Sequence, residues 1–254
     1  MTLNFWEDGL YENQWETENI NNWTGTVDGA VINEKTVGYT KNEFSGFNYN
    51  LGFLWAMNYR ITLGFVFKAP FTADIRRHGE EFDFIDNMET PSNYTETDKD
   101  QELDMPMSYG IGLSYRFSDE LTAALDIYRT EWDDFMLTDE NGNKSSPISF
   151  LSENESNVKP TTQIRFGAEY LFIRDRYIIP IRGGCFYDPA PAEGSPDDYY
   201  GFSIGSGFAR GKFVFDFAYQ YRFGNGVADY ILEGLDFSED VKEHTIYSSI
   251  IYHF

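Results

Sequence analysis
No stretch of this chain approaches the ~20 consecutive apolar residues that a membrane-spanning helix requires, so a helical membrane protein is excluded. Cysteine is almost missing as well. The single Cys185 rules out an internal disulfide, and with only His78, His244 and His253 as imidazoles no Cys/His cluster has metal-ligand spacing. No cofactor is implied. Basic residues are the third shortage: 19 Lys plus Arg face 42 Asp plus Glu, for a net charge of -23. That balance excludes nucleic acid as a partner, because its phosphates must be neutralised by Lys and Arg. The opening Met1-Thr-Leu-Asn-Phe-Trp6 has neither the basic start nor the apolar core of a secretory signal.

Aromatic side chains are what the chain has in excess. Phe, Tyr and Trp make up 18% of it, although the mean hydropathy is only -0.47. The two facts agree in a transmembrane β-barrel, whose strands alternate apolar and polar residues and whose membrane interfaces carry aromatic girdles. The alternation is visible. Leu103, Met105, Met107, Tyr109, Ile111, Leu113, Tyr115 and Phe117 take every second position of one segment, and Asp104, Pro106, Ser108, Gly110, Gly112, Ser114 and Arg116 take the others. Phe213, Phe215, Phe217, Tyr219, Tyr221 and Phe223 share one side of another, and Ile246, Ile250, Tyr252 and Phe254 close the chain in the same way. A helix cannot gather such residues on one face.

The same template predicts further strands near 47–57, 60–74, 121–138, 161–172, 177–187 and 199–209. That makes about nine, each near the ~9–11 residues of a tilted membrane strand. Tight connections at 58–59, 118–120, 173–176 and 210–211 alternate with long ones at 75–102, 139–160, 188–198 and 224–242. With the C-terminus in the periplasm, the tight turns are periplasmic and the long acidic loops external. Residues 7–43 then form another external loop, and Met1 to Trp6 the tip of an ascending strand. Bacterial single-chain barrels close with even strand numbers. The expectation is therefore one barrel domain over 1–254, the C-terminal part of a larger barrel; a complete barrel of ~10 strands is the alternative.

Several segments carry a family resemblance. Asp104-Met-Pro-Met-Ser-Tyr-Gly-Ile-Gly-Leu-Ser-Tyr-Arg-Phe-Ser-Asp119, followed by Leu121 to Phe135, resembles the FadL-type outer-membrane transporters of long-chain fatty acids and aromatic hydrocarbons. Gly167 to Phe172, Phe186 to Gly194, Asp197 to Gly207, Asp216 to Gly224 and Glu243 to Phe254 agree with it, and Asn4 to Asp8 more weakly. The resemblance spans residues from about Phe44 to the end. It implies a fourteen-stranded barrel with an N-terminal hatch, of which this chain holds about nine or ten strands and lacks the hatch and first strands. It further implies passive uptake of hydrophobic small molecules across the bacterial outer membrane, with lipid (or detergent) around the wall. The last strand, ending at Phe254, would engage the barrel-assembly machinery. A porin-like channel and a barrel-borne hydrolase are the rival readings.

Catalytic patterns are few. Gly201-Phe-Ser-Ile-Gly205 matches G-x-S-x-G, but that motif needs a strand-to-helix elbow, and here Ser203 falls inside a strand. None of the three histidines has a positioned nucleophile, so no catalytic residue is assigned. The carboxylates of Glu80-Glu81, Asp98 to Asp104, Asp133-Asp134, Asp197-Asp198 and Asp236 to Asp240 read as solvated surface, with loose Ca²⁺ or Mg²⁺ binding as the minor alternative. Cys185 reads as a small lipid-facing residue. More informative are Lys68, Asp126, Arg165, Glu169, Arg182 and Asp216, all inward near mid-strand. They can form an internal ion-pair network, or Lys68, Arg165 or Arg182 can meet a substrate carboxylate. Inward Trp132, Phe186 and Tyr128 would supply apolar contact to the same ligand.

Overall fold
A computed structural model describes residues 1–6, 14–27, 30–86, 90–229 and 238–254. Its strands are β1 (Thr2–Trp6), β2 (Gln14–Val27), β3 (Ala30–Ala56), β4 (Ile61–Lys68), β5 (Phe71–Ile85), β6 (Asn93–Met105), β7 (Ser108–Arg116) and β8 (Leu121–Thr130). They continue as β9 (Met136–Thr138), β10 (Lys144–Ser145), β11 (Thr161–Arg174), β12 (Tyr177–Tyr187), β13 (Tyr200–Arg210), β14 (Phe213–Val227) and β15 (Glu239–Tyr252). All pair antiparallel in one 15-stranded sheet, an open partial barrel whose hydrogen-bonded path runs from β10 to β15, with β1 and β2 pairing with β3 off that path.

Every segment expected from the period of two holds a strand, but three of them, 60–74, 103–117 and 121–138, are each interrupted. The wall runs in the order β1, β3, β4, β7, β8, β11, β12, β13, β14, β15, with each neighbour following its neighbour in sequence. Tight turns join these strands at one end, the turn end. Asn58 Oδ1 accepts from the backbone N–H groups of Arg60 and Ile61, and Gly211 adopts φ 58°, a conformation glycine reaches without a Cβ penalty. At the opposite, loop end, Glu193 accepts two hydrogen bonds from the Asn157 N–H, tying the connection 139–160 to that at 188–199.

Two expected loops are instead sheet. Within 7–43, β2 and the first part of β3 form a hairpin; residues 7–13 and 28–29 lie outside the described residues. Within 75–102, β5 and β6 continue the strands below them and pair residue for residue from Phe71↔Met105 to Asp83↔Asn93. These stretches are polar, so no lipid-facing stripe announces them, but unbroken pairing with β3 carries the wall beyond the membrane band. The connection 224–242 is also shortened, since β14 runs to Val227 and β15 starts at Glu239.

The sidedness of the strands also differs from a single unbroken stripe. Strand pairs keep directly opposed residues on one face. Lys68 pairs with Asn50 and Ser108, and the same inner face continues up β3 to Phe44, which pairs with Ile75. Ile75 and Ala73 oppose Gln101 and Leu103, so the inner face holds even residues in β7 but odd residues in β6. The phase changes at Ala69-Pro70 and at Pro106-Met107, where proline has no N–H for the ladder. A third interruption, the 3-10 turn Trp132–Asp134, separates β8 from β9. Leu103 and Met105 therefore face inward, unlike Ile111 and Leu113, although all four share one parity.

Candidate ligand-binding site on the inner face
Glycine shapes the inner wall. Gly112 lies beneath Asp126, Gly201 beneath the Phe186 ring, and Gly207 beneath Asp216, each at a place where a Cβ would collide with its neighbour, and Gly184 lies beneath Ser203, where a Cβ would be tight. Side chains on adjacent strands thus reach sideways over bare backbone. Two adjoining concavities result. One, about 790 Å³, is lined by Asp126, Arg165, Glu169, Arg182, Phe186, Ser203, Gln220 and Tyr247. The other, about 640 Å³, is more apolar and is floored by Gly52, Gly64, Gly110 and Gly112 with Leu54, Val66 and Tyr128 around them. Asp126 and Arg165 border both.

The three expected cations have different fates. Arg182 is committed: its Nε donates to Glu169 at 2.6 Å and its Nη1 to Asp216 at 2.6 Å. Asp216 is two strands away, and the reach is possible because the intervening β13 presents Gly205 and Gly207. Arg165 is held loosely. Its Nη2 is 3.8 Å from Asp188 and donates to Gln163 at 3.3 Å, while Asp126, its partner in register, makes no ion pair among the described residues. Lys68 has no carboxylate partner among the described residues. Its Nζ stands 5.6 Å from the centre of the Tyr128 ring, a cation–π distance.

Phe186 lines the larger concavity beside Arg165, its partner in register. Trp132 does not join them. It lies in the 3-10 turn beyond β8, where its indole N–H donates to Thr161 Oγ1 at 3.0 Å and its ring meets Phe135 edge-on. The period of two predicts a strand running through Trp132-Asp-Asp to 138, and the turn re-aims the indole. Ser203 stands within β13 with no strand-to-helix elbow, and Cys185 is exposed on the outer face between Phe166 and Phe202. Sequence reasoning also missed Trp6, Phe44 and Phe71, an inward aromatic group in which Trp6 stacks on Phe71 at 5.2 Å and meets Phe44 edge-on at 5.8 Å. The phase change at Ala69-Pro70 hid it.

Outside, exposed apolar residues such as Phe65, Ile111, Ile127, Phe166, Ile181, Ile204 and Phe217 cover the wall's middle. Ring pairs mark its two ends. Tyr115–Phe117, Tyr170–Phe172 and Tyr177–Phe208 lie at the turn end, with Tyr49–Phe67 and Tyr187–Tyr200 at the loop end. A greasy outer band between aromatic belts, around an inner face of charges and glycine, defines an outer-membrane β-barrel.

The chain belongs to the family described as outer membrane protein transport protein (OMPP1/FadL/TodX), whose model matches residues 7–237. No curated protein matches it in sequence. Among solved structures, a Pseudomonas aeruginosa FadL homologue is 15% identical at a TM-score of 0.50 over 93% of this chain, which spans 66% of that one. The Pseudomonas putida toluene transporter TodX is 11% identical at a TM-score of 0.44, with 94% of this chain and 68% of that chain covered. The Ralstonia pickettii toluene transporter TbuX is 13% identical at 0.43, with 95% and 70% covered.

Proposed function
We propose that the chain forms part of a passage for hydrophobic small molecules across the outer membrane, by passive diffusion along weak sites and without covalent chemistry. Family membership supports transport, and the inner face supports the form of the ligand. The observation that carries the reading is Lys68, free of any described carboxylate and poised over Tyr128 beside the apolar concavity. An inward ammonium of this kind attracts a ligand carboxylate through a charge-assisted hydrogen bond. Arg165, only loosely engaged, is the second contact, and Phe186 and the glycine floor receive the hydrocarbon chain. Arg182 is the weakest of the three cations for this role, since its donors are occupied. Long-chain fatty acids fit this pattern of one anion and a long apolar tail. The long loops then face the cell exterior.

Binding of a long-chain fatty acid to Lys68→Gln tests the reading. The variant should bind roughly ten-fold more weakly, the worth of one hydrogen bond to a charged group, with an unchanged affinity for a neutral hydrocarbon. Equal losses for both ligands would remove Lys68 from head-group recognition. A steady ionic current indifferent to fatty acid would favour a general channel instead.

A further inference from the structure
Above the phase change Ile75 faces inward, so the even residues of β5 and their partners in β6 face outward. That outer face carries His78 directly opposite Asp98 and, one step further from the membrane band, Glu80 directly opposite Glu96. Two carboxylates in cross-strand register repel each other. Tyr94 lies between them, its hydroxyl 3.0 Å from Glu80 Oε1 and 3.3 Å from Glu96 Oε2. A phenol has one proton to donate, which leaves the second carboxylate unmatched.

The neighbouring cations are turned to other acids. Lys41, which opposes His78 from β3, donates to Glu43 at 2.6 Å, and Arg76 reaches Asp100 at 3.4 Å and Glu43 at 3.9 Å. Among the described residues neither Glu80 nor Glu96 forms an ion pair with lysine or arginine.

The imidazole sets this group apart from a solvated acidic surface. His78 Nδ1 is 2.7 Å from Asp98 Oδ1, and donor atoms of His78, Asp98 and Glu96 all lie within 4.8 Å of one another. Around a tetrahedral ion with bonds of ~2.0–2.2 Å, such atoms stand ~3.3–3.6 Å apart. All three side chains are at least partly exposed, so rotation about their χ angles closes the difference without moving the paired backbone. One imidazole nitrogen with carboxylate oxygens suits zinc and its neighbours, whereas Ca²⁺ and Mg²⁺ take oxygen alone.

We propose that His78, Asp98 and Glu96 bind one divalent transition-metal ion, Zn²⁺ foremost, with water in the fourth position. Because the ligands come from both strands, the ion staples β5 to β6 on the outer face beyond the membrane band, and it neutralises the opposed Glu80 and Glu96. The site is separate from Lys68 and the inner concavities and does not depend on the transport reading.

Zn²⁺ titration of the metal-free full chain in non-ionic micelles provides the test, with excess Mg²⁺ present to fill loose carboxylate sites and a chromogenic chelator reporting free Zn²⁺. One saturable equivalent per chain is expected, and Ca²⁺ should not displace it. His78→Ala, Glu96→Gln and Asp98→Asn should each weaken it by more than about ten-fold, since loss of a group one shell further out already costs that much. His244→Asn should leave it unchanged. At fixed pH, Zn²⁺ should slow amide exchange in β5 and β6 of the unsubstituted chain and not in β12 and β13, a result that stands even if a variant misfolds. Absence of a saturable equivalent, displacement by Ca²⁺, an affinity indifferent to any of the three ligand variants, an equal loss in His244→Asn, or slowing that is absent from β5 and β6 or shared by β12 and β13 would overturn the proposal.

Discussion
At the scale of single residues, the arginine clasp and the glycines beneath it act together. Removing Arg182 leaves the partly exposed carboxylates of Glu169 and Asp216 without the cation that both contact. Arg182→Ala should destabilise the wall by roughly 1–2 kcal/mol, less than a buried pair would lose because the side chains remain partly exposed. Urea unfolding in lipid vesicles measures it, and fatty-acid affinity should change little. Gly207→Leu should act on the same contact, since its Cβ would meet Phe215 O at 2.7 Å and the Asp216 carboxylate; a loss of roughly 1–3 kcal/mol is expected from such overpacking. His78, beyond the membrane band, responds to pH. Its hydrogen bond with Asp98 at 2.7 Å, helped by the charges of Asp98, Glu96 and Glu80, raises its pKa above the ordinary imidazole value. Because the folded pKa is the higher one, the stabilisation is complete below the unfolded value and fades as pH rises through the folded value. Amide protection factors in β5 and β6, with the intrinsic base catalysis of exchange divided out, should fall from mildly acidic to mildly alkaline pH, and His78→Asn should flatten that dependence.

At the scale of elements, strands and their ends were legible wherever one face meets lipid. Thr161 to Phe172, Tyr177 to Tyr187 and the segment from Leu121 alternate plainly because hydrocarbon demands an apolar residue at each second position. The hairpin of β2 with β3 and the pairing of β5 with β6 were not legible, since polar residues such as Thr17, Glu18, Asn19, Thr95, Glu96 and Thr97 follow one another along both faces and no period of two shows. The phase change was hidden for another reason: Leu103, Met105 and Met107 are apolar on either side of Pro106, so alternation reads straight through it. Nitroxide labels resolve the difference. Labels at Ile111 and Leu113 should be readily reached by lipid-soluble oxygen, and labels at Leu103 and Met105 should not. Uniform access at all four would restore a single unbroken stripe.

At the scale of the whole molecule, the two aromatic belts give the wall a height. Tyr177 and Tyr187 mark the ends of β12. Ten steps of ~3.3 Å, tilted ~40°, span about 25 Å, the height of the apolar band in such barrels. Ile181→Arg, in the middle, should cost roughly 2–4 kcal/mol of folding free energy in bilayers, against ~0–1 for Tyr177→Arg at the rim. The inner charges were legible as a set, because Lys68, Arg165 and Arg182 occupy the polar phase of their strands. Which of them is available was not, since that depends on glycines two strands away. The upper sheet adds a practical lesson. Pairing of β4 with β7 and of β5 with β6 stays in step, Lys68 with Ser108 and Phe71 with Met105, so both arms slip phase together. The tip formed by β5 and β6 is consequently a cassette: excised and replaced by a short linker, it could be exchanged for a foreign hairpin while the hydrocarbon-facing wall below kept its stripe.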